Sequence, residues 1–574
     1  MTVVGTRTER VLADVPATIS VITDEQIEQQ IARDIADLIR FEPGVSVGGT
    51  GSRFGLDGFT IRGIGGNRVL TTVDGIRVPE EFSFGPFLSA RRDFVDVDGL
   101  ARAEIARGPI SSLYGSDALG GVVALRTKQP SDYLEDGDSF HLGAKLGYSS
   151  PDDSRVGTFT AAAGNDLLSG VVLYTRREAS ETETQGSVGG FGPTRERPDP
   201  QDITTDNIAA RLALNPGERQ QFTFGVDYFD NTTTTQVFSD YFTETFGVIT
   251  ERRDANDSRE RTRLSLAYEY QGNLFVADAI RATVYRQSSQ TVQLTEEDRD
   301  NFGAAEFRTR ESVFEQDITG GFVQFERNLS LGGSEHQVIY GVDVFRTESE
   351  TSRDGVTLDA NGVPLPTSPF SPPLPTRDFP LTEVSQVAFF LQDEITLFGG
   401  RLLLSPGLRF DSFDASASAD ALYLSGNPGT ELPEDYSDEE LTLRLGALYD
   451  INENVSAYVR YSEGFRAPPY DDVNVGFSNV AGGYKTIANP DLSSERSIGF
   501  EGGLRFTSEL GAFTLAAYHN EYDDFIESFA TAPAFAETGG VDPSDGLFTF
   551  QSINREEVVI NGVEATALVD LGVA

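Results

Sequence analysis

The sequence contains no cysteine or tryptophan, and it has only one methionine and three histidines in 574 residues. Without cysteine there is no disulfide framework, thiolate metal site, iron–sulfur cluster or cysteine nucleophile. The histidines, His141, His336 and His519, are too far apart in sequence to suggest a metal-binding cluster. Neither the dinucleotide-binding glycine motif nor a phosphate-binding P-loop occurs in context. We therefore predict no metal site, no permanently bound cofactor and no enzymatic activity.

Basic residues are scarce relative to acidic ones. The sequence has 45 Lys and Arg residues and 90 Asp and Glu residues, which gives a net charge of −45. Such a charge repels polyanions from nearly any surface, so we predict that nucleic acid is not a partner. Almost all of this charge falls after residue 130, whereas residues 1–130 are nearly neutral. The difference in charge indicates two domains of different character.

Long apolar runs are also missing, since no stretch approaches the ~18–20 consecutive apolar residues of a membrane-spanning helix. The polar residues after Met1 lack the charged and apolar regions of a signal peptide, as expected of an exported chain that has lost its leader. β-Strands hide the membrane signal, because only alternate residues face lipid. Any membrane crossing is therefore expected to use strands.

Residues 1–130 have the pattern of a small α+β domain. Apolar residues at helical spacing predict a helix over Asp24–Arg40, with Thr23 or Asp24 as its N-cap and Pro43–Gly44 as its end. Short strand-type runs separated by glycine-rich turns follow, and Lys128–Asp132 is a plausible domain boundary. The predicted strands are Val69–Val73, Ala103–Ala106 and Val122–Arg126.

From about residue 139 the apolar period changes to two, which is typical of strands with one apolar and one polar face. We count about 17 such strands in residues 131–574, and their connections alternate in length. Short turns on one side and long loops on the other are typical of an outer-membrane barrel. A soluble all-β protein is the alternative, although it has no reason to sort its loops in this way. The short turns are near 164–166, 216–218, 272–273, 398–400, 452–454 and 509–511, and the long loops near 181–204, 234–259, 351–382, 413–437, 466–493 and 527–545.

The first domain resembles the plug of TonB-dependent outer-membrane receptors. The resemblance covers residues 1 to about 130, with the family's motifs in the family's order and spacing. The motifs are Asp37–Arg40 before Glu42–Val45, Phe59–Gly63, Asn67–Leu70 leading to Val73–Arg77, Glu104–Pro109 and Leu113–Val122.

This resemblance implies a mainly β protein, in which a transmembrane antiparallel barrel of about 22 strands encloses the α+β plug. About 17 strands are present, and the end at Leu571–Ala574 is not aromatic, so we expect the barrel to be incomplete at its C-terminus. It also implies active transport driven by the periplasmic TonB complex, which pairs with an N-terminal β-strand called the TonB box. Thr2, Val3 and Val4 resemble the end of such a box.

Four plug arginines, Arg62, Arg68, Arg77 and Arg107, are candidates for docking against the inner wall of the barrel. Glu269, Glu501 and Asp227 have the strand parity to receive them, although the sequence leaves the pairings open. Ion pairs of this kind would hold the plug inside the barrel until the plug is displaced during transport.

Within the family, the Asn67–Arg77 stretch resembles the haem, haemoglobin and transferrin branch most. Phe465–Arg466–Ala467–Pro468 and Asn489–Pro490–Asp491–Leu492 resemble the FRAP and NPDL boxes that flank a long extracellular loop in haem receptors. These receptors place a histidine between the boxes, but residues 469–488 contain none. Tyrosine can also ligate haem iron, so the candidate substrate-binding residues are Tyr470, Tyr484, Phe465, Arg466 and Asn489.

The resemblance therefore implies that the transported ligand is haem or chelated iron, taken from an extracellular iron carrier or haemoprotein. The location implied is the bacterial outer membrane, with lipid around the barrel. Ferric-siderophore uptake is the alternative cargo. A passive porin or a surface adhesin is a different class of function, and the plug motifs oppose the porin.

Overall fold

The computed structural model describes residues 2, 4–49, 51, 53–85, 88–135, 137–245, 247–366, 374–427, 432–480 and 482–569. No helix among these residues is long and apolar enough to cross a membrane.

The N-terminal domain is built around a five-stranded sheet in the order β1-β8-β9-β4-β5. The β4–β9 pair is parallel, and the other pairs of this sheet are antiparallel. Two separate hairpins, β2–β3 and β6–β7, extend from the domain. The elements are β1 (Ile19–Thr23), α1 (Asp24–Gln29), α2 (Ile35–Leu38), β2 (Val45–Val47), β3 (Phe59–Ile61), β4 (Val69–Val73), β5 (Ile76–Arg77), β6 (Phe82–Phe84), β7 (Leu88–Ala90), β8 (Leu100–Arg107), α3 (Ser111–Tyr114) and β9 (Gly121–Thr127).

The helix predicted over Asp24–Arg40 is two short helices, α1 and α2. Thr23 caps α1 through a capping box with Gln26, as the sequence predicted. The chain then turns at Ile31, which has a positive φ of 52° and is exposed, so its side chain does not join the helical stripe. The Asp34 side chain accepts a hydrogen bond from the amide of Asp37 and caps α2. Asp34 is thus a second N-cap within the run of helically spaced apolar residues, and it divides the predicted helix into two.

Apolar side chains cover both faces of the five-stranded sheet. Ile27, Ile35 and Leu38 pack with Val73 and Ile105 on one face. On the other face, the cluster contains apolar residues of the N-terminal segment, α3, β4 and β9: Val4, Val15, Leu113, Leu70 and Val122. The domain thus has its own core on each side of its sheet.

The remaining strands form one sheet of 20 strands in sequence order, with sixteen long strands and four short ones. The elements are β10 (Phe140–Ser149), β11 (Ser154–Gly164), β12 (Leu168–Ser180), β13 (Gln201–Leu214), β14 (Gln220–Gln236), β15 (Thr243–Thr245), β16 (Val248–Gln271), β17 (Ala279–Asn301), β18 (Ala304–Leu331), β19 (Ser334–Asp354), β20 (Thr357–Asp359), β21 (Leu381–Leu397), β22 (Leu402–Ser418), α4 (Ala421–Gly426), β23 (Tyr436–Asn452), β24 (Val455–Arg466), α5 (Tyr470–Asn474), β25 (Phe477–Asn479), β26 (Tyr484–Ile487), β27 (Glu495–Ser508), β28 (Gly511–Thr531) and β29 (Phe548–Val569).

This large sheet wraps around the N-terminal domain. Its inner face forms ion pairs with the N-terminal domain along the whole sheet. Lys145 of β10 pairs with Asp98 of the domain, and Glu564 of β29 pairs with Arg62 of the domain. Apolar residues alternate outward with polar residues inward, as in β23, where Leu441 and Leu443 are exposed and Thr442 is buried. The predicted mainly β barrel with an internal α+β domain is confirmed. Among the described residues, the end strands β10 and β29 are not paired with each other.

The predicted sorting of connections by length is largely found. Turns of a few residues join β11 to β12, β18 to β19, β23 to β24 and β27 to β28 at one end of the sheet. The predicted long loop over 234–259 is wrong, because β14 continues to Gln236 and β16 begins at Val248. The paired strands β14 and β16 continue into polar sequence beyond their apolar residues. Only residues 237–247 therefore connect them. The longest connection, between β24 and β27, contains α5, β25 and β26 and folds toward the N-terminal domain.

Candidate functional site

A cavity of about 540 Å³ lies between the N-terminal domain and the long-loop end of the large sheet. We call it the chamber. The N-terminal domain contributes the segment before β4 and the β6 region, and the large sheet contributes the β24–β27 connection and the ends of β28 and β29. Its lining residues are Gly66, Asn67, Arg68, Glu81, Ser83, Phe84, Gly85, Arg466, Pro469, Asp471, Asp472, Phe477, Tyr484, Thr486, Ser528, Phe529 and Phe550.

Aromatic rings form one wall of the chamber. Phe84 meets Phe477 edge-on with ring centroids 5.0 Å apart, and Phe477 lies 5.9 Å from Tyr484. Tyr484 in turn lies 6.1 Å from Phe550, and Phe84 lies 6.2 Å from Phe529. Ring faces and edges arranged in this way suit a flat, apolar ligand.

Tyr484 is held in this wall by its backbone. It begins β26, which pairs with β29 in parallel and places Tyr484 opposite Phe548. No hydrogen bond to its hydroxyl is found in the part of the chain that the structure describes. The phenol oxygen is therefore available to a ligand in the chamber.

The floor of the chamber carries two arginines that share one carboxylate. Arg68 donates to Glu495 over 2.6 Å, and Arg466 donates to the same carboxylate over 3.1 Å. The Glu495 side chain is fully buried, whereas that of Arg68 is 19% exposed. The three side chains Arg68, Arg466 and Glu495 together carry one net positive charge, and guanidinium matches carboxylate ligands in a bidentate geometry.

Serine hydroxyls of the N-terminal domain position Arg466. The amide of Phe465 donates to the Ser111 hydroxyl over 3.1 Å, and the amide of Ala467 donates to the Ser116 hydroxyl over 3.4 Å. The residues on both sides of Arg466 are therefore tied to the N-terminal domain, which aims the guanidinium at Glu495.

Carboxyl groups beside the floor are poorly solvated. Burial raises the pKa of Asp471 to about 8, and the neighbouring Asp472 adds to the shift while Arg466 opposes it. Burial also raises the pKa values of Glu80 and Glu81. The raised pKa of Asp471 means that this carboxyl places less negative charge beside Arg466 than an ordinary aspartate would.

Two matches to family models decide what the chain is. The model described as "TonB dependent receptor-like, beta-barrel" matches residues 237–573, more than half of the chain, and "TonB-dependent Receptor Plug Domain" matches residues 11–122. The chain belongs to the TonB-dependent receptors. It is thus a protein of the bacterial outer membrane, and its N-terminal domain and large sheet are the receptor's plug and barrel.

Curated relatives include proteins named for haemoglobin. "Hemoglobin-haptoglobin utilization protein B" of Neisseria meningitidis serogroup C is 25% identical over 562 residues, which cover 88% of this chain and 67% of the relative. "Probable hemoglobin and hemoglobin-haptoglobin-binding protein 4" of Haemophilus influenzae is 27% identical over 543 residues, covering 88% and 53%. The chain therefore spans between about half and two thirds of these relatives.

Solved receptor structures share the fold. The "hemophore receptor HasR" of Serratia marcescens, in complex with its hemophore HasA and heme, aligns with a TM-score of 0.74 at 18% identity, over 98% of this chain and 80% of that chain. The "siderophore receptor PiuA" of Acinetobacter baumannii aligns with a TM-score of 0.67 at 17% identity, over 98% and 77%. At such identities the likeness shows the fold alone.

The receptor's chamber contains two of the five residues proposed from the sequence to bind substrate, Arg466 and Tyr484. Phe465 is 1% exposed and packs at the plug, while Asn489 donates to the Ser552 carbonyl over 2.8 Å. Tyr470 is 6% exposed and packs edge-on against Phe379, 5.1 Å between ring centroids. These three side chains contact protein and do not line the chamber.

Sequence reasoning missed the phenylalanines of the wall. Phe84 comes from the alternating Phe82–Ser83–Phe84 run, and Phe550 comes from a similar Phe548–Thr549–Phe550 run. Both runs alternate aromatic and polar residues, but nothing local shows that residues 84 and 550 face one cavity. Arg68 was predicted to dock the plug, and the structure also places it on the chamber floor.

Arg62, one of the four candidate docking residues, forms ion pairs with the barrel. It donates to Glu501 over 3.0 Å and to Glu564 over 2.8 Å, with its own side chain 1% exposed. Of the other proposed acceptors, Asp227 binds the barrel arginines Arg211 and Arg263. Glu269 is exposed and makes no salt bridge in the ranges described here.

The side-chain ion pairs of Arg77 and Arg107 lie inside the plug. Arg107 donates to Glu42 and to the Pro43 carbonyl, because the end of β8 lies beside the chain leaving α2. Arg77 donates to Asp117 over 2.8 Å, and its guanidinium lies over the ring of the barrel residue Phe345. Both residues also meet the barrel through their carbonyls, which accept from Gln287 and Arg460.

The proposed TonB box is folded against the plug. The Thr2 hydroxyl and the Val4 amide both donate to Glu104, over 2.6 and 2.8 Å, and both residues are fully buried. Val3 lies outside the described residues. In this conformation, Thr2 and Val4 are not accessible to a partner strand.

Proposed function

We propose that this receptor binds haem in the chamber and transports it across the outer membrane at the expense of the proton gradient, without being an enzyme. The observation that carries the proposal is the combination of an aromatic wall that includes Tyr484 with a floor of two arginines. Haem is a flat macrocycle with two carboxylates, so its ring fits the wall and its propionates fit the floor. The haemoglobin-related names of the relatives support the same cargo.

The iron ligand in this proposal is the Tyr484 phenolate, since tyrosine is an established haem ligand. Tyr470, the other candidate, is unsuited because burial raises its pKa well above the ordinary value and opposes phenolate formation. The absence of histidine between the two boxes is then compensated by a tyrosine in the same loop.

The partners in this proposal are an extracellular haemoprotein or haem carrier, the surrounding lipid, and the TonB complex in the periplasm. TonB pairing at Thr2–Val4 requires these residues to leave Glu104 and become an extended strand. We propose that this release accompanies cargo binding.

Haem titration followed by Soret absorbance tests the proposal. We expect a saturable Soret shift in the wild-type receptor and in Tyr470→Phe, because Tyr470 does not line the chamber. In Tyr484→Phe we expect the Soret band to be that of haem without a phenolate ligand. The affinity of this variant for haem should be lower than that of the wild type by about tenfold or more. A shift lost in Tyr470→Phe but kept in Tyr484→Phe would contradict the assignment, and no shift in any variant would favour ferric siderophores.

The pH dependence of haem binding is a second test. Burial and the neighbouring Asp472 raise the pKa of Asp471 to about 8, so we expect haem affinity to fall as the pH rises through this value and the carboxyl loses its proton. One added charge near the propionates in a partly buried site lowers affinity by about tenfold. Asp471→Asn should bind equally across this range. A fall of the same size in Asp471→Asn would show that another group is responsible.

A further inference from the structure

A second cavity, of about 760 Å³, lies between the plug and the barrel on the side of the short turns. We call it the vestibule. It extends from rim residues such as Asn165 and Asn215 to Arg77, Tyr114 and Phe345. The short turns of a receptor of this family face the periplasm. The vestibule is therefore a preformed space on the exit side of the plug.

One carboxylate joins the two cavities. Asp117 accepts from Arg77, a vestibule residue, over 2.8 Å. The same carboxylate lies 3.8 Å from Arg466, which lines the chamber. The chamber floor and the vestibule are thus connected through a line of three side chains, Arg77–Asp117–Arg466.

The turn that carries Asp117 is held in an unusual backbone conformation. Asp117 has a φ of +75°, in the left-handed region that non-glycine residues seldom adopt, and Gly115 has a φ of +81°. Arg77 also donates to the carbonyls of Tyr114 and Ser116, over 3.1 and 3.0 Å. Release of this guanidinium would therefore remove three hydrogen bonds that hold the turn in its strained conformation.

We propose that Asp117 is the gate residue of the transport path, and that its pairing with Arg77 and Arg466 keeps the chamber closed to the vestibule. When a carboxylate of the cargo takes Arg466, Asp117 loses one of its two cations, and the turn at residues 114–117 is then held by Arg77 alone. The coupling to cargo rests on the proposed function, whereas the closed state of the gate does not.

Ion conductance of the full-length receptor in planar lipid bilayers tests the gate, without cargo and without TonB. Asp117→Asn keeps the side-chain volume and suits a positive φ, but it removes the charge. We expect its open-channel time to exceed that of the wild type by about tenfold or more, as for the loss of a charge-assisted hydrogen bond. Haem binding plays no part in this readout, so a failure of the haem proposal would leave the result unaffected.

Glu42→Gln is the matched control. Glu42 also accepts a charge-assisted hydrogen bond inside the plug, from Arg107 over 2.9 Å, but it lines neither cavity. The proposal predicts wild-type conductance for this variant. If Asp117→Asn does not fold, Arg77→Gln should give the same leak. Wild-type conductance in a folded gate variant, or equal leaks in Asp117→Asn and Glu42→Gln, would overturn the proposal.

Discussion

Replacing Glu501 with glutamine is expected to lower the stability of the plug inside the barrel by about 3–5 kcal/mol, the typical effect of breaking a buried ion pair. One Glu501 oxygen accepts from Arg62 over 3.0 Å and lies 3.6 Å from Arg460. The other accepts from the amide and hydroxyl of Thr18, over 2.7 and 2.8 Å. A glutamine must turn its NH₂ group toward one of these sets of donors, so it loses hydrogen bonds as well as charge.

Calorimetry of the receptor in detergent, with hydrogen exchange at residues 17–23, measures this effect. Glu269→Gln is the matched control, because Glu269 has the same strand parity and lines the vestibule but makes no salt bridge among the described residues. We expect the plug transition of Glu501→Gln to fall and that of Glu269→Gln to stay at the wild-type temperature. Equal transitions in all three proteins would show that Arg62 docking contributes nothing measurable.

Two substitutions at the chamber floor are expected to change haem affinity in opposite directions. Arg68→Gln removes a propionate partner but leaves Glu495 paired with Arg466, so affinity should fall about 10- to 100-fold. Glu495→Gln frees both arginines from their shared carboxylate, so affinity should rise. Both effects follow from the same competition between Glu495 and the carboxylates of the cargo.

Haem dimethyl ester separates this electrostatic effect from a change of shape. The ester has no carboxylates, so its affinity should be the same in wild-type, Arg68→Gln and Glu495→Gln receptors. Arg401→Gln is the control for general charge, since Arg401 lies at a short turn beside Tyr449, at the other end of the barrel. A similar loss of ester binding in Arg68→Gln would mean that Arg68 shapes the chamber rather than pairing with propionates.

The sequence was informative where structure depends on local pattern. Alternation with period two predicted β23 and its exposed leucines, and glycine-rich turns predicted the short connections, because both arise from neighbouring residues. Thr23, one of the two N-caps that the sequence offers, is confirmed for the same reason. The Asp34 cap lies inside a continuous apolar period, so the pattern predicts one helix where the structure has two.

The site was less accessible to sequence reasoning, because its contacts join residues hundreds of positions apart. Arg68 and Glu495 are 427 residues apart, and the phenylalanines at 84 and 550 belong to different domains. Strand parity predicts that both Glu501 and Glu269 face the barrel interior. Only the three-dimensional structure shows that Glu501 lies beside Arg62. Similarly, two tyrosines stood between the boxes, and only the fold of the loop separates Tyr484 in the wall from Tyr470 in the packing.

The most direct test of the account is the uptake of radiolabelled haem iron by iron-starved cells that produce the full-length receptor. The account predicts accumulation in energised cells, a fall to the level of surface binding when a protonophore discharges the gradient, and reduced uptake at low haem concentration in Arg68→Gln. Accumulation that persists without the gradient would indicate a passive pore. Absence of haem-iron accumulation in cells that take up ferric-siderophore iron through the same receptor would contradict haem as the cargo.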